Sequence, residues 1–180
     1  MSKISTSLVL ALCLAACKPE TPAPVTQPEQ AAKPAPAETV PAAKQMPALE
    51  IETFDGGRFK LSEHRGKWVA VNFWATWCAP CLKEIPDFNA FAKRHPEKVQ
   101  FIGLAYEEIE RADMEAFLKQ HPIDYPFAIL DVYNPPADFE TPRGLPMTVV
   151  IAPDGKVAKT FLGPVTSAEL AGLMGLPVAQ

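Results

Sequence analysis

A seven-residue stretch, Trp68-Val69-Ala70-Val71-Asn72-Phe73-Trp74, is apolar almost throughout and runs into a Cys-x-x-Cys pair, Cys78-Ala79-Pro80-Cys81. A strand without polar alternation is buried on both faces, so it belongs at the centre of a sheet. After Cys78, Leu82, Ile85, Phe88 and Ala92 recur at spacings of three and four, with Lys83, Asp87, Lys93 and Arg94 on the other faces. That period predicts a helix to about His95, kinked at Pro86. A central strand delivering two thiols to the start of a helix is the frame into which the rest of the chain has to fit.

The remaining segments fit it. Val99 to Tyr106 reads as a second buried strand, and Met114, Phe117 and Leu118 mark a second helix ending near His121-Pro122. Phe127 to Leu130 is a strand; Met147 to Ile151, the turn Ala152-Pro153-Asp154-Gly155 and Lys156 to Phe161 make a hairpin. Thr166 with Glu169 is a capping box that opens a last helix through Leu170, Leu173 and Met174. Upstream, Leu49 to Thr53 and Arg58 to Leu61 alternate apolar and polar around Asp55-Gly56-Gly57, a β-hairpin. The expected fold class is α/β: a mixed central sheet with helices on both faces, preceded by an N-terminal β-hairpin.

Composition separates this domain from what precedes it. Of the 20 prolines, eight lie between Lys18 and Pro47, where Val25, Val40 and Met46 are the only large apolar side chains. Such a segment cannot bury enough surface to offset its ordering entropy. Extended polyproline II at about 3.1 Å per residue would let it reach on the order of 90 Å, so residues 17–47 read as a semi-rigid tether and residues 48–180 as the folded domain. Ahead of the tether, residues 1–16 carry Lys3 and then an uncharged run from Ile4 to Ala16, the anatomy of a signal peptide. As a helix that run spans roughly 20 Å, short of the roughly 30 Å hydrocarbon core.

Charge and cysteine usage remove other classes. A net charge of -4 without a long basic cluster gives no footprint for nucleic acid. Four cysteines without paired CxxC or HxxxH units give neither a disulfide-stapled mini-domain nor a zinc pattern. The CxxC is therefore where the chemistry lies. At a helix N-terminus, free backbone N–H groups and the macrodipole stabilise an anion, and a thiol pKa falls from about 8.5 into the range of about 3.5 to 7.5. Cys78 is the expected exposed nucleophile. Cys81, one turn further in, is placed to attack the mixed disulfide that Cys78 forms.

Phe73-Trp74-Ala75-Thr76-Trp77-Cys78-Ala79-Pro80-Cys81, Pro86 five residues beyond, and Gly144-Leu145-Pro146 before a strand together resemble the thioredoxin fold. More closely they resemble the TlpA/ResA branch of membrane-tethered, extracytoplasmic thiol-disulfide oxidoreductases, over roughly residues 48–175. The resemblance implies that Pro146 is cis and faces the CxxC, and that Leu145 offers its backbone to a docked substrate strand beside Trp77, Ala79 and Pro80. It also implies a proton-handling acid. Thioredoxin carries an aspartate at the position matching Asn72, which is absent here, whereas Glu84 matches a glutamate of ResA-like members one helical turn from Cys81. Leu14-Ala15-Ala16-Cys17 resembles a lipoprotein lipobox, which implies acylation of Cys17; Lys18 after it, where inner-membrane lipoproteins often carry aspartate, points to the outer membrane.

The expected activity is reduction of disulfides in exported proteins, apocytochrome c among them, at the periplasmic face of a bacterial membrane. The partners are an oxidised exported protein, an upstream membrane or periplasmic thiol reductant, and the membrane through the lipid anchor. No cofactor beyond the Cys78–Cys81 couple and no metal is expected. A thiol peroxidase is disfavoured because Val71 and Ala75 stand where its proline and threonine belong, and a copper chaperone because the CxxxC spacing and downstream histidine are missing. The segment Asp131 to Arg143 precedes the proposed cis-proline and borders the groove. His64, His95 and His121 read as surface residues without a catalytic role.

Overall fold

The computed structural model describes residues 46–178; the leader, Cys17 and the tether up to residue 45 lie outside the described residues. The elements are β1 (Glu50–Glu52), β2 (Arg58–Lys60), β3 (Trp68–Trp74), α1 (Ala79–Arg94), β4 (Val99–Ala105), α2 (Arg111–Leu118), β5 (Phe127–Ile129), β6 (Met147–Ile151), β7 (Val157–Leu162) and α3 (Ser167–Met174). A 3₁₀ turn at Leu61–His64, which no periodicity announces, joins the hairpin to β3. β1 and β2 pair antiparallel. The other strands form one sheet in the order β5-β4-β3-β6-β7, with β3 parallel to β4 and antiparallel to β6.

The apolar run sits where its composition requires, between β4 and β6 at the middle of the sheet. Val69, Val71 and Phe73 point to one face, packed with Leu49, Phe59, Leu61 and Phe139. Ala70 points to the other, against Phe88 and Phe91 of α1 and Leu170 and Met174 of α3. Trp74, on that same side by alternation, meets Ile85 of α1 and Met114 of α2. The two successive right-handed crossovers, β3-α1-β4 and β4-α2-β5, advance across the sheet in one direction and so place both helices together. Of the helices expected on both faces, the three α-helices thus share one. The second face is covered by the hairpin, the 3₁₀ turn and Phe139.

Local signals explain the boundaries. α1 runs unbroken through Pro86, whose ring is on the exposed side. α3 carries the capping box at Thr166 and Glu169, and ends on Gly175 in a left-handed conformation (φ 65°). Segment 131–143 forms neither helix nor strand. Phe139 anchors it, its ring 6.2 Å from that of Phe73. Asp138 holds it from outside, accepting the Ala48 N–H at 2.9 Å.

One expectation fails among the histidines. His64 and His121 are half-buried, the first stacked on Phe59 and the second tilted against Phe117, but His95 is only 8% exposed. It caps the C-terminus of α1, its N–H donating to the Phe91 and Ala92 carbonyls, and this folds the ring against Phe91. A histidine before a proline at a helix end is a surface residue only when the chain leaves outward; here it turns straight into β4.

Candidate active site

β3 ends at Trp74, and four residues later Cys78 serves as the N-cap of α1. The intervening turn is closed by the Cys78 N–H donating to the Ala75 carbonyl at 3.1 Å. Cys78 Sγ accepts the Cys81 N–H at 3.3 Å, Pro80 lies in the first turn where its missing N–H is not needed, and that turn carries no acidic residue. One backbone donor therefore points at Cys78 Sγ, with no carboxylate in the first turn of the helix to oppose a thiolate. Cys78 and Cys81 are joined as a disulfide, Cα to Cα 5.3 Å.

Cys78, expected to be exposed, is 4% exposed, and Cys81 is 1% exposed. The reason is the cap itself, which turns Sγ inward toward the helix N-terminus. Trp77, Ala79 and Pro80 stand exposed around it. Leu145 packs against the cluster that contains both cysteines, and the Leu145–Pro146 peptide is cis. The Pro146 carbonyl accepts the Gly163 N–H at 2.8 Å. Neither the N–H nor the carbonyl of Leu145 bonds to any group among the described residues, so a strand-like donor and acceptor remain open beside the disulfide.

Two carboxylates are buried among the described residues, Glu84 and Glu107. Glu84, on α1 one turn beyond Cys81, is 5% exposed. Its Oε1 accepts the Val165 N–H at 2.6 Å, while Oε2 is buried without a protein partner. Burial outweighs that single hydrogen bond and pushes the acid up to about 7. Tyr125, buried with its hydroxyl unpartnered, is raised as well, first by burial and then by the negative charge of Glu84. Asn72, where thioredoxin would place its acid, donates to Thr148 Oγ1 at 3.0 Å in a buried neutral pair.

Glu107, which sequence reasoning passed over, follows β4 and binds the turn ahead of the cysteines. Its only signal in the sequence is an acid directly behind a buried strand, which usually means a solvated loop. Tyr125 was missed too, because a tyrosine beside a proline before a strand reads as packing.

A thiol pair at a helix N-terminus, a cis-proline beside it and a neutral-titrating acid behind it make a dithiol-disulfide exchange site. The chain matches the Redoxin family model over residues 38–174. It is 34% identical over 132 residues to the thiol-disulfide oxidoreductase ResA of Bacillus cereus, covering 73% of this chain and 75% of that protein. The chain belongs to the redoxin family. Among solved structures it is similar to a thiol:disulfide interchange protein of the thioredoxin family from Chlorobium tepidum, at TM-score 0.61 and 28% identity over 73% of this chain and 93% of that one. It is similar also to the exposed lipoprotein thioredoxin of Streptococcus pneumoniae, at TM-score 0.61 and 25% identity over 71% and 98%. This redoxin is a thiol-disulfide oxidoreductase of the ResA type with a thioredoxin-like fold.

Proposed function

We propose that this redoxin reduces disulfides of exported proteins, working from the periplasmic face of a bacterial membrane to which acylated Cys17 anchors it. The observation that carries the reading is the Cys78–Cys81 pair at the N-terminus of α1. In the reduced protein the Cys78 thiolate attacks one sulfur of the substrate disulfide, forming a mixed disulfide and expelling the other sulfur as a thiolate. Cys81 then gives its proton to the Glu84 carboxylate and attacks Cys78 Sγ. The second substrate thiolate leaves, and two electrons have passed from the dithiol to the substrate. No other redox group takes part, and an upstream thiol reductant restores the dithiol. The substrate strand docks on the open Leu145 N–H and carbonyl beside cis-Pro146, with Trp77, Ala79 and Pro80 lining its path.

Cys81→Ser tests the chemistry: it leaves an attacking thiolate with no resolving partner, so mixed disulfides accumulate in cells and their identity names the substrate, with apocytochrome c the first to look for. Capture by Cys78→Ser but not by Cys81→Ser would overturn the assignment of the two thiols. The lipobox-like Leu14-Ala15-Ala16-Cys17 and the long Pro/Ala-rich stretch behind it support the anchor, and Lys18 supports the outer membrane. Cys17→Ser should release the protein from membranes; normal membrane partition of that variant would refute lipidation.

A further inference from the structure

We propose that Glu107 is a positioning residue for thiol-disulfide exchange, clamping Thr76 so that the turn after β3 delivers Cys78 to the N-terminus of α1. The inference rests on the exchange reading above and concerns how the nucleophile is held. Both oxygens of the Glu107 carboxylate are engaged by one residue: Oε1 accepts the Thr76 N–H at 2.6 Å and Oε2 accepts the Thr76 hydroxyl at 2.9 Å. Glu107 is 9% exposed, and no lysine or arginine pairs with it among the described residues. A buried carboxylate without a cation is costly unless its lone pairs are met by well-placed donors. Here those donors come only from the loop that precedes the thiols.

The fold does not need this contact to join β3 to β4. The strands are in register from Trp68 with Val99 to Trp74 with Ala105, and the Tyr106 N–H already bonds the Trp74 carbonyl at 2.8 Å. The clamp begins where that ladder ends. It fixes Thr76 in both backbone and side chain, and Thr76 lies inside the turn that the Cys78 N–H and Ala75 carbonyl close. With Thr76 held, Trp77 projects to solvent, 69% exposed, and Cys78 takes the extended N-cap conformation (φ −85°, ψ 91°) that aims Sγ at the Cys81 N–H. Released, the turn no longer holds the sulfur over the helix N-terminus, where its thiolate is stabilised.

The test uses the full chain, reduced, with two readouts: alkylation of Cys78 by iodoacetamide as a function of pH, and the rate of reduction of dithionitrobenzoate, which takes two electrons and leaves the Cys78–Cys81 disulfide. Glu107→Ala should move the Cys78 alkylation midpoint to higher pH and slow reduction on the order of tenfold, the scale of a lost hydrogen bond to a charged group. Glu107→Gln keeps an acceptor for the Thr76 N–H and offers its amide to the hydroxyl, so it should stay within about threefold of the parent. Thr76→Val, which removes only the hydroxyl bond, should fall between, and adding it to Glu107→Ala should cost nothing further. A folded Glu107→Ala with the parent's alkylation profile overturns the proposal, as does Glu107→Gln as slow as Glu107→Ala. If Glu107→Ala does not fold, Thr76→Val decides: a shifted profile supports the clamp and an unshifted one refutes it. Alkylation needs no substrate, so a parent protein that fails to reduce the probe counts against the exchange reading and leaves the clamp measurable.

Discussion

Glu84→Gln should make the oxidised protein more stable above pH 7 and leave it nearly unchanged near pH 4. The Glu84 carboxyl titrates near 7 in the folded protein, driven there by burial, against an ordinary value of 4.5. Between those two values the folded state holds a proton that the unfolded chain has released, so stability falls as pH rises through this window and levels off beyond it. At about 1.4 kcal/mol for each tenfold change in proton affinity, the ionised carboxylate costs on the order of 3 kcal/mol at pH 8. Glutamine keeps the acceptor for the Val165 N–H and carries no charge, so the variant should recover most of that difference. The assay is urea unfolding of the oxidised parent and variant at several pH values; the disulfide removes both active-site thiols from the titration. The two stability curves should coincide in acid and separate between about pH 4.5 and 7. A constant gap across the whole range, or a variant less stable at pH 8, would mean that Glu84 is not a buried acid with a raised pKa, and its role in taking the Cys81 proton would fall with it.

Other consequences are read by simpler measurements. The same Glu84→Gln protein should lose the inflection near neutral pH from its rate of disulfide reduction, measured by stopped flow, because the group proposed to accept the Cys81 proton is gone. Phe139→Ala should lower the unfolding free energy by about 3 kcal/mol, as for other buried aromatic truncations, since Phe139 anchors segment 131–143 on Phe73. Thr166→Ala should cost about 1 kcal/mol by removing both the cap of α3 and its bond to Glu169, readable as a lower urea midpoint without a change in slope. Gly103→Ala should destabilise by about 1 to 3 kcal/mol, because a Cβ there would stand 3.0 Å from Trp74 Nε1 and from Phe127 Cβ.

What the sequence revealed, and what it did not, divides along the range of the interactions involved. β3 and α1 were legible because each is specified by its own residues: an unbroken apolar run for the one, a three-and-four apolar spacing behind an N-cap for the other. The hairpins and the Thr166 cap are likewise local. Strand order was not, since nothing within β5 says that it lies outside β4; that follows from two crossovers of one hand. The covering of the second face by Phe139 depends on a contact 66 positions away in sequence, with Phe73. Glu84 and Pro146 became candidates only through resemblance to a family. Burial of Glu84 beside Val165, 81 positions on, is what gives the acid its properties, and no window on α1 contains that residue.

The two buried carboxylates show why burial alone does not identify a proton carrier. Glu107 has each oxygen engaged by a donor of Thr76, so both of its acceptors are committed to the turn ahead of the thiols. Glu84 has one oxygen bonded and the other buried without a hydrogen-bond partner, so no second donor ties it to its charged form. Its placement one turn from Cys81 puts that freedom where a thiol has to lose a proton before it can attack Cys78 Sγ. The position that thioredoxin gives to an aspartate is meanwhile filled by Asn72, locked to Thr148 and unable to take a proton at all. The site thus divides its acidic groups between a fixed strut under the turn that presents Cys78 and an adjustable acid behind Cys81. Exchanging their surroundings would exchange their roles: a donor aimed at Glu84 Oε2 from Tyr125 or Val165 would hold the carboxylate in its charged form, lower its affinity for a proton, and slow resolution at neutral pH while leaving the first attack by Cys78 untouched.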